Sequence, residues 1–378
     1  MAKPCRKTMI TIALHNMAGE EWTAGGVVQE VFLQALRGLP EEKPSLRLTV
    51  WKETPERVIA PFRTMVDDVI CLPSSGSDAR NEVLKQNGVD VFVSLPIESA
   101  LMVNVPRIVW IYDFQHRHYP ENFSLEELER RDRLFKAHAD SSSLLLIYSQ
   151  SVMKDLKEFA ARALARARLL RFVPHIPTEC YARTAEDTHS RYGLPERFFL
   201  MPNHFLPHKN HRVVVEALGQ LAARGCRPVV VCTGRRQTPA AERLAERCRY
   251  YGVSNQFVCL DVVPREDYFH LLRASLAVIN PSRFEGFGLS VAEAKYLGKR
   301  AILADIPVMR EHEISDAFYA APDAPDEWAN HMKRIWENPA IPLLDFDKLL
   351  DVYLCDQRMF GEKLLKLCDD AIEHNFKA

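Results

Sequence analysis

Short apolar runs recur at positions 9–14, 46–51, 69–72, 89–94, 107–111 and 144–148, separated by polar or helix-periodic stretches. Four to six apolar residues in a row mark a strand covered on both faces, as in a parallel sheet packed between helices. Between the runs, over 26–36, 79–87, 125–139 and 152–165, apolar residues recur three and four apart, which gives a helix one apolar face. Alternating strands and helices predict an α/β fold with a doubly wound parallel sheet. The pattern breaks at 174–195, where Pro174, Pro177 and Pro195 stand among Thr and charged residues, the composition of a linker. It then resumes, with strands expected at 198–201, 229–233, 257–260, 276–280 and 300–304 and helices at 211–223 and 239–251. A helical pattern over 348–376 follows. The expected division is 1–175, 196–347 and a helical tail, 348–378.

A chain of 378 residues exceeds the usual size of one hydrophobic core, which agrees with two domains. With 47% hydrophobic and 26% charged residues it reads as an ordinary globular protein. A net charge of −1 offers no global field for nucleic acid or an anionic membrane. The nine cysteines contain no C-x-x-C pair, so reduced thiols in a cytoplasmic protein are expected. Residues 1–8 carry basic side chains, but Thr11, His15 and Asn16 interrupt the apolar stretch behind them; it reads as a first strand rather than a signal peptide. No run approaches the roughly 18 apolar residues of a membrane span.

Candidate chemistry concentrates after the expected strands. Residues 281–294 read PSRFEGFGLSVAEA, with Glu285 and Glu293 eight positions apart around a glycine turn. A strand, the turn and a helix from Leu289 would converge the amides of Phe287, Gly288 and Leu289 at a helix start, where the helix dipole favours a diphosphate. Lys209 follows the strand at 198–201 and precedes a helix, placing an ammonium beside such phosphates, with Asn210 as a helix cap. Gly25 and Gly26 follow the first strand and let backbone amides approach a ligand closely. No G-x-G-x-x-G fingerprint occurs, which argues against a nicotinamide or flavin dehydrogenase. Polar residues massed at 112–120, including Asp113 and His116, mark a cleft at the end of the strand 107–111. Three weaker patterns stand beside these. His204, His208 and His211 have metal-ligand spacing, although Pro207 interrupts them and no local carboxylate or cysteine completes a set. Asp345-Phe346-Asp347 has the short D-x-D form. Arg162, Arg166, Arg168 and Arg171 alternate with leucines as a basic amphipathic face could at a membrane, or as a solvated helix face.

The run Pro281-Ser282-x-x-Glu285-Gly286-Phe287-Gly288-Leu289 followed by Glu293 resembles the E-x7-E signature of the family-4 retaining glycosyltransferases, bacterial polysaccharide mannosyl- and glucosyltransferases among them. The resemblance implies a GT-B architecture, two Rossmann-like domains facing an interdomain cleft, with the tail helix packed back on the first. It implies a hexosyltransferase that moves a hexose from a UDP- or GDP-linked donor to a hydroxyl of a glycan or lipid-linked glycan. Configuration would be retained, with no metal and no cofactor beyond the donor itself. Lys209 and the Gly25-Gly26 loop would meet the leaving diphosphate, Glu285 the sugar hydroxyls, Glu293 the ribose, and either Asp113 or His116 the reacting sugar. The family carries an Arg five residues before the Lys. Here that position is His204, so the second positive charge falls to a protonated His204 or to Arg283. The expected location is the cytoplasm, with peripheral contact at the inner membrane face left open, and nucleic acid is not an expected partner. Two other classes stay open: an epimerase or phosphorylase of the same fold, and a catalytically idle nucleotide- or glycan-binding relative.

Overall fold

The computed structural model describes residues 9–19, 23–40, 43–95, 103–181, 188–339 and 344–375. Residues 1–8 and part of the expected linker lie outside them. The described chain forms two compact units, Met1–His175 with Leu354–Ala378 and Ile176–Tyr353.

The first unit holds a parallel sheet of seven strands: β1 (Thr11–His15), β2 (Ser45–Trp51), β3 (Asp68–Leu72), β4 (Val91–Ser94), β5 (Arg107–Trp110), β6 (Leu144–Ile147) and β7 (Ala167–Leu169). They lie in the order β3-β2-β1-β4-β5-β6-β7. The inner strands β1, β4, β5 and β6 are buried along their whole length, which is why they read as unbroken apolar runs. The last strand begins at Ala167 because the helix Gln150–Ala160 tightens into a 3-10 segment, Ala161–Arg166, so the expected helix 152–165 ends early. Leu164 and Leu169 pack against the core beside that segment; Arg166 donates to the carbonyls of Ala139 and Asp140, and Arg168 to those of Ala165 and Ala167. The apolar side of the basic stretch is thus turned inward.

The last described element is the 30-residue helix Phe346–Asn375, and Phe360 on it meets Phe32 and Phe172 at ring separations of 6.3 and 5.9 Å. Gly361 faces the helix Thr23–Arg37, and a Cβ there would sit 3.1 Å from the Ala35 carbonyl carbon and closer still to its oxygen. Only glycine lets these two helices approach so near.

The second unit carries six parallel strands: β8 (Phe199–Met201), β9 (Val230–Thr233), β10 (Phe257–Leu260), β11 (Val278–Asn280), β12 (Ala301–Ala304) and β13 (Ala317–Ala320). Their order is β10-β9-β8-β11-β12-β13. Its core gathers Phe199, Met201, Val214, Leu218, Ile279 and Ile302 around the fully buried Trp328, whose indole N–H donates to the Ala321 carbonyl at 2.9 Å. Each such side chain contributes about 1.5–3 kcal/mol through its removal from water. The arrangement of both sheets is the α/β class expected from the pattern.

Candidate functional site

In the second sheet β8 and β11 are neighbours, yet the chain leaves them in opposite directions, to β9 and β10 on one flank and to β12 and β13 on the other. In an open α/β sheet, the carboxyl ends of strands at such a reversal are where ligands bind. The loop after β8 supplies Lys209, and the loop after β11 supplies Glu285.

These two side chains meet. Lys209 Nζ lies 2.6 Å from Glu285 Oε1, and the Ser282 hydroxyl donates to the same oxygen at 2.8 Å. With side-chain exposures of 18% and 10%, water screens the pair only weakly. Burial pushes the Glu285 carboxyl up, but the Lys209 ammonium and the Ser282 hydroxyl outweigh it and hold the group below the usual carboxylate range. The Glu285 carboxylate therefore stays ionised at neutral pH.

The loops that carry the pair are stitched at the backbone. The Arg283 amide donates to the His208 carbonyl at 2.8 Å. Asn210 stands at the start of the helix His211–Ala223 in the left-handed region, φ 56°, and makes no side-chain cap. Its amide nitrogen instead donates to the carbonyls of Pro281 at 3.1 Å and Pro322 at 2.7 Å. This corrects the expectation of a helix cap: with its backbone in the left-handed region and its Nδ2 tied to two proline carbonyls, the side chain does not offer its oxygen to the first-turn amides.

Beyond Glu285, Gly288 begins the helix Leu289–Tyr296 with φ 88°. A Cβ there would lie 3.3 Å from His312 Nε2, which itself is 2.6 Å from the Phe287 carbonyl oxygen. His312 is buried, and burial keeps its ring neutral. As a neutral ring it donates to that carbonyl and turns the Phe287–Leu289 segment into one fixed shape. The first amides of the Leu289 helix have no acceptor one turn back, so the helix start remains an anion-attracting end.

Several expected site residues are placed otherwise. Glu293 is 1% exposed, with one carboxylate oxygen on the Arg265 guanidinium and the other receiving the Tyr268 hydroxyl. Arg265 also lies over the Tyr268 and Phe269 rings. Both oxygens are therefore committed inside the unit. The Arg283 side chain pairs with Asp323 and lines a groove beside the His211 helix, a groove that neither Lys209 nor Glu285 lines. His204 is lowered below its ordinary value, by partial desolvation first and then by the Lys209 and Arg235 charges. It is a neutral imidazole at pH 7, which removes one of the two expected sources of a second cation. His208, buried, is lowered to about 4 by that burial and by Lys209, and His211 to about 3, with Nε2 at 3.1 Å from the Asn203 carbonyl. These three imidazoles do not converge on a metal; among the described residues no group of three His, Cys, Asp or Glu does. Asp345 accepts from the Lys348 amide at 3.1 Å, at the start of the long helix.

In the first unit, Gly25 and Gly26 lie inside the helix Thr23–Arg37 rather than in a loop, within its first turn. A Cβ on Gly26 would touch the Ala18 side chain at 3.5 Å. Of the two candidates after β5, His116 is 2% exposed, its ring 4.9 Å from Phe135 and its Nε2 3.1 Å from Asp132. Burial holds it below its ordinary value against the pull of Asp132. It belongs to the core. Asp113 is half-buried and accepts from the Gln115 amide at 3.0 Å, so its carboxylate fixes the turn after β5. Ser149 caps the helix Gln150–Ala160, its hydroxyl accepting from the Val152 amide at 3.1 Å.

Arg265, Tyr268 and His312 were missed. Arg265 and Tyr268 lie three apart at the start of the helix Arg265–Ala274, a spacing that puts them on one face, but nothing local says that Glu293 lies opposite.

Residues 185–347 match the family model described as "Glycosyl transferases group 1". No curated protein matches the chain in sequence. Among solved structures the chain is similar to Anabaena Alr3699/HepE in complex with UDP and glucose, at TM-score 0.68 and 15% identity, covering 98% of this chain and 100% of that one. It is similar to sucrose-phosphate synthase from Thermosynechococcus elongatus, at TM-score 0.68 and 15% identity over 96% and 97% of the two chains. A glycosyltransferase from Rickettsia africae gives TM-score 0.67 and 15% identity over 98% and 97%. At such identities the likeness is one of fold, the GT-B fold of two Rossmann-like units.

Proposed function

We propose that the chain is a retaining glycosyltransferase that moves a hexose from a UDP- or GDP-linked donor to a hydroxyl of a glycan or lipid-linked glycan. The observation that carries this reading is the Lys209–Glu285 pair, held at 2.6 Å on the two loops of the strand-order reversal and followed directly by the Leu289 helix start. The match of residues 185–347 to the group 1 glycosyl transferases and the UDP and glucose bound by Alr3699/HepE support it.

As the bond from the anomeric carbon to the donor phosphate breaks, negative charge grows on the diphosphate. Lys209 and the helix start lie ready for that charge, fixed before reaction and partly shielded from water, where such groups act most strongly. This reading needs no metal. The Glu285 carboxylate accepts from sugar hydroxyls once the ammonium turns to the phosphate. Positive charge on the sugar ring is met by the acceptor arriving on the leaving group's own face, with the departing phosphate taking the acceptor's proton. No protein nucleophile is assigned. Asp113 is the candidate on the first unit for contact with the reacting sugar.

A second reading, an idle nucleotide or glycan binder, is favoured by one observation: His204 is neutral and Arg283 is paired with Asp323, so Lys209 stands without a second cation from the expected positions. Nucleotide release from UDP- and GDP-sugars separates the two. Glu285→Ala should lower that release at least a hundredfold while circular dichroism stays that of the parent; turnover retained in this variant rules out the assigned role. Thermal shift with UDP, GDP and ADP identifies the base, because a ligand of the folded state raises its melting temperature.

A further inference from the structure

Beside the His211–Ala223 helix, and lined by neither Lys209, Glu285 nor Glu293, lies a groove of about 400 Å³. That volume falls within the range of small-molecule sites, about 300–1,000 Å³. Its floor is apolar, with Phe205, Leu206, Pro207 and Leu244; four guanidiniums, of Arg212, Arg243, Arg247 and Arg283, surround it.

Arginines of like charge do not gather around one hollow without an electrostatic cost, and a cost of this kind persists where a ligand recovers it. Arg243 and Arg247 lie four apart on the helix Pro239–Tyr250, hence on one face. Two carboxylates hold part of the set in place: Glu216, at 2.6 Å from Arg247 and 3.5 Å from Arg212, and Asp323 on Arg283. Four cations against two anions leave positive charge over. Among the described residues Arg243 has no ion-pair or hydrogen-bond partner. Two helices, of 13 and 12 residues, also begin at this groove and add their positive ends. Guanidinium forks match phosphate oxygens two at a time, whereas a carboxylate offers one such edge. The apolar floor asks for an organic body attached to the anion.

We propose that this groove is a second anion site, distinct from the donor groups, which takes a phosphomonoester carried on an organic body. Such a group reaches a protein either on a small soluble molecule or on a lipid headgroup.

Calorimetric titration with inorganic phosphate and with glucose 6-phosphate tests the first source, and co-sedimentation with phosphatidylcholine vesicles containing phosphatidic acid tests the second. Arg243→Glu removes no partner from another residue and reverses one charge of the rim. It should weaken binding of the responding probe at least tenfold, and Arg243→Ala should weaken it by less. Lys209→Ala should leave that binding event within twofold. A response to glucose 6-phosphate that Arg243→Glu abolishes establishes the soluble source; a response confined to phosphatidic acid vesicles establishes the lipid source. If no probe at millimolar concentration gives a binding event that depends on Arg243, or if Lys209→Ala removes the event as well, the groove is not a separate phosphate site.

Discussion

Glu285 and Lys209 neutralise one another in a place that water reaches poorly, so each is costly without the other. Lys209→Met keeps the aliphatic stem and leaves the carboxylate with the Ser282 hydroxyl alone. It should lower stability by about 1–3 kcal/mol, less than for a fully buried pair because both groups keep some contact with water. In Lys209→Met/Glu285→Gln the carboxylate is gone too, and part of the loss should return. Urea unfolding of the two variants checks this, and a double variant less stable than Lys209→Met would refute it. As candidates, though not as an ion pair, Lys209 and Glu285 were legible in the sequence because both residues sit in tight local contexts, one ending a strand-to-helix loop and the other inside a glycine turn. The fates of Glu293 and His116 were not. Each is decided by residues far along the chain, Arg265 and Tyr268 for one and Asp132 and Phe135 for the other, and helical spacing alone does not say which side chain will face inward.

Elements were legible where burial is complete on both faces. β1, β4, β5, β6 and β12 appear as apolar runs within a residue or two of their observed bounds, and the helix His211–Ala223 matches its periodic stretch. β13 was missed: its sequence AFYA is short, three of its four residues are half-buried, and it lies at the sheet edge, so little in the pattern distinguishes it from a loop. Gly25 and Gly26 show a smaller error: the helix expected from position 26 begins at Thr23, so both glycines of the expected loop fall in its first turn. At the turn that opens the Leu289 helix the glycine signal is sound. Gly288→Ala places a Cβ in the left-handed region, costing roughly 1–2 kcal/mol, and presses it on His312. The expected outcome is a lower melting temperature together with at least tenfold weaker nucleotide binding, read by thermal shift and calorimetry. Unchanged binding in a folded variant would mean that the helix start does not touch the ligand.

At the scale of the whole molecule, alternation of strand and helix gave away the α/β class. The pH response was not readable, because it depends on which histidines are sealed from water. His15, 2% exposed and 3.0 Å from the Thr49 hydroxyl, is lowered to about 3 by burial, and His211 likewise to about 3, with His208 near 4. In the unfolded chain each takes a proton near pH 6.5. Their contribution to stability is therefore complete above pH 6.5 and falls as pH drops from there toward the folded values. Each loses about 1.4 kcal/mol per pH unit. Melting temperature should hold between pH 7.5 and about 6.5 and fall from there to pH 5, and His15→Asn, which can still bond Thr49 but cannot titrate, should flatten that fall. A slope the same in the variant and the parent excludes His15 as a contributor.

Asn210 has a consequence at this scale as well. Through the carbonyls of Pro281 and Pro322 its single side chain fastens the loop after β8 to those after β11 and β13. Three segments separated by seventy and by forty positions in sequence thus behave as one part, and they will be inherited or exchanged as one. A loop transplanted from a relative to alter donor choice brings its chemistry intact only if it presents a carbonyl where Asn210 expects one; without it, the graft loosens the two loops it was never meant to change.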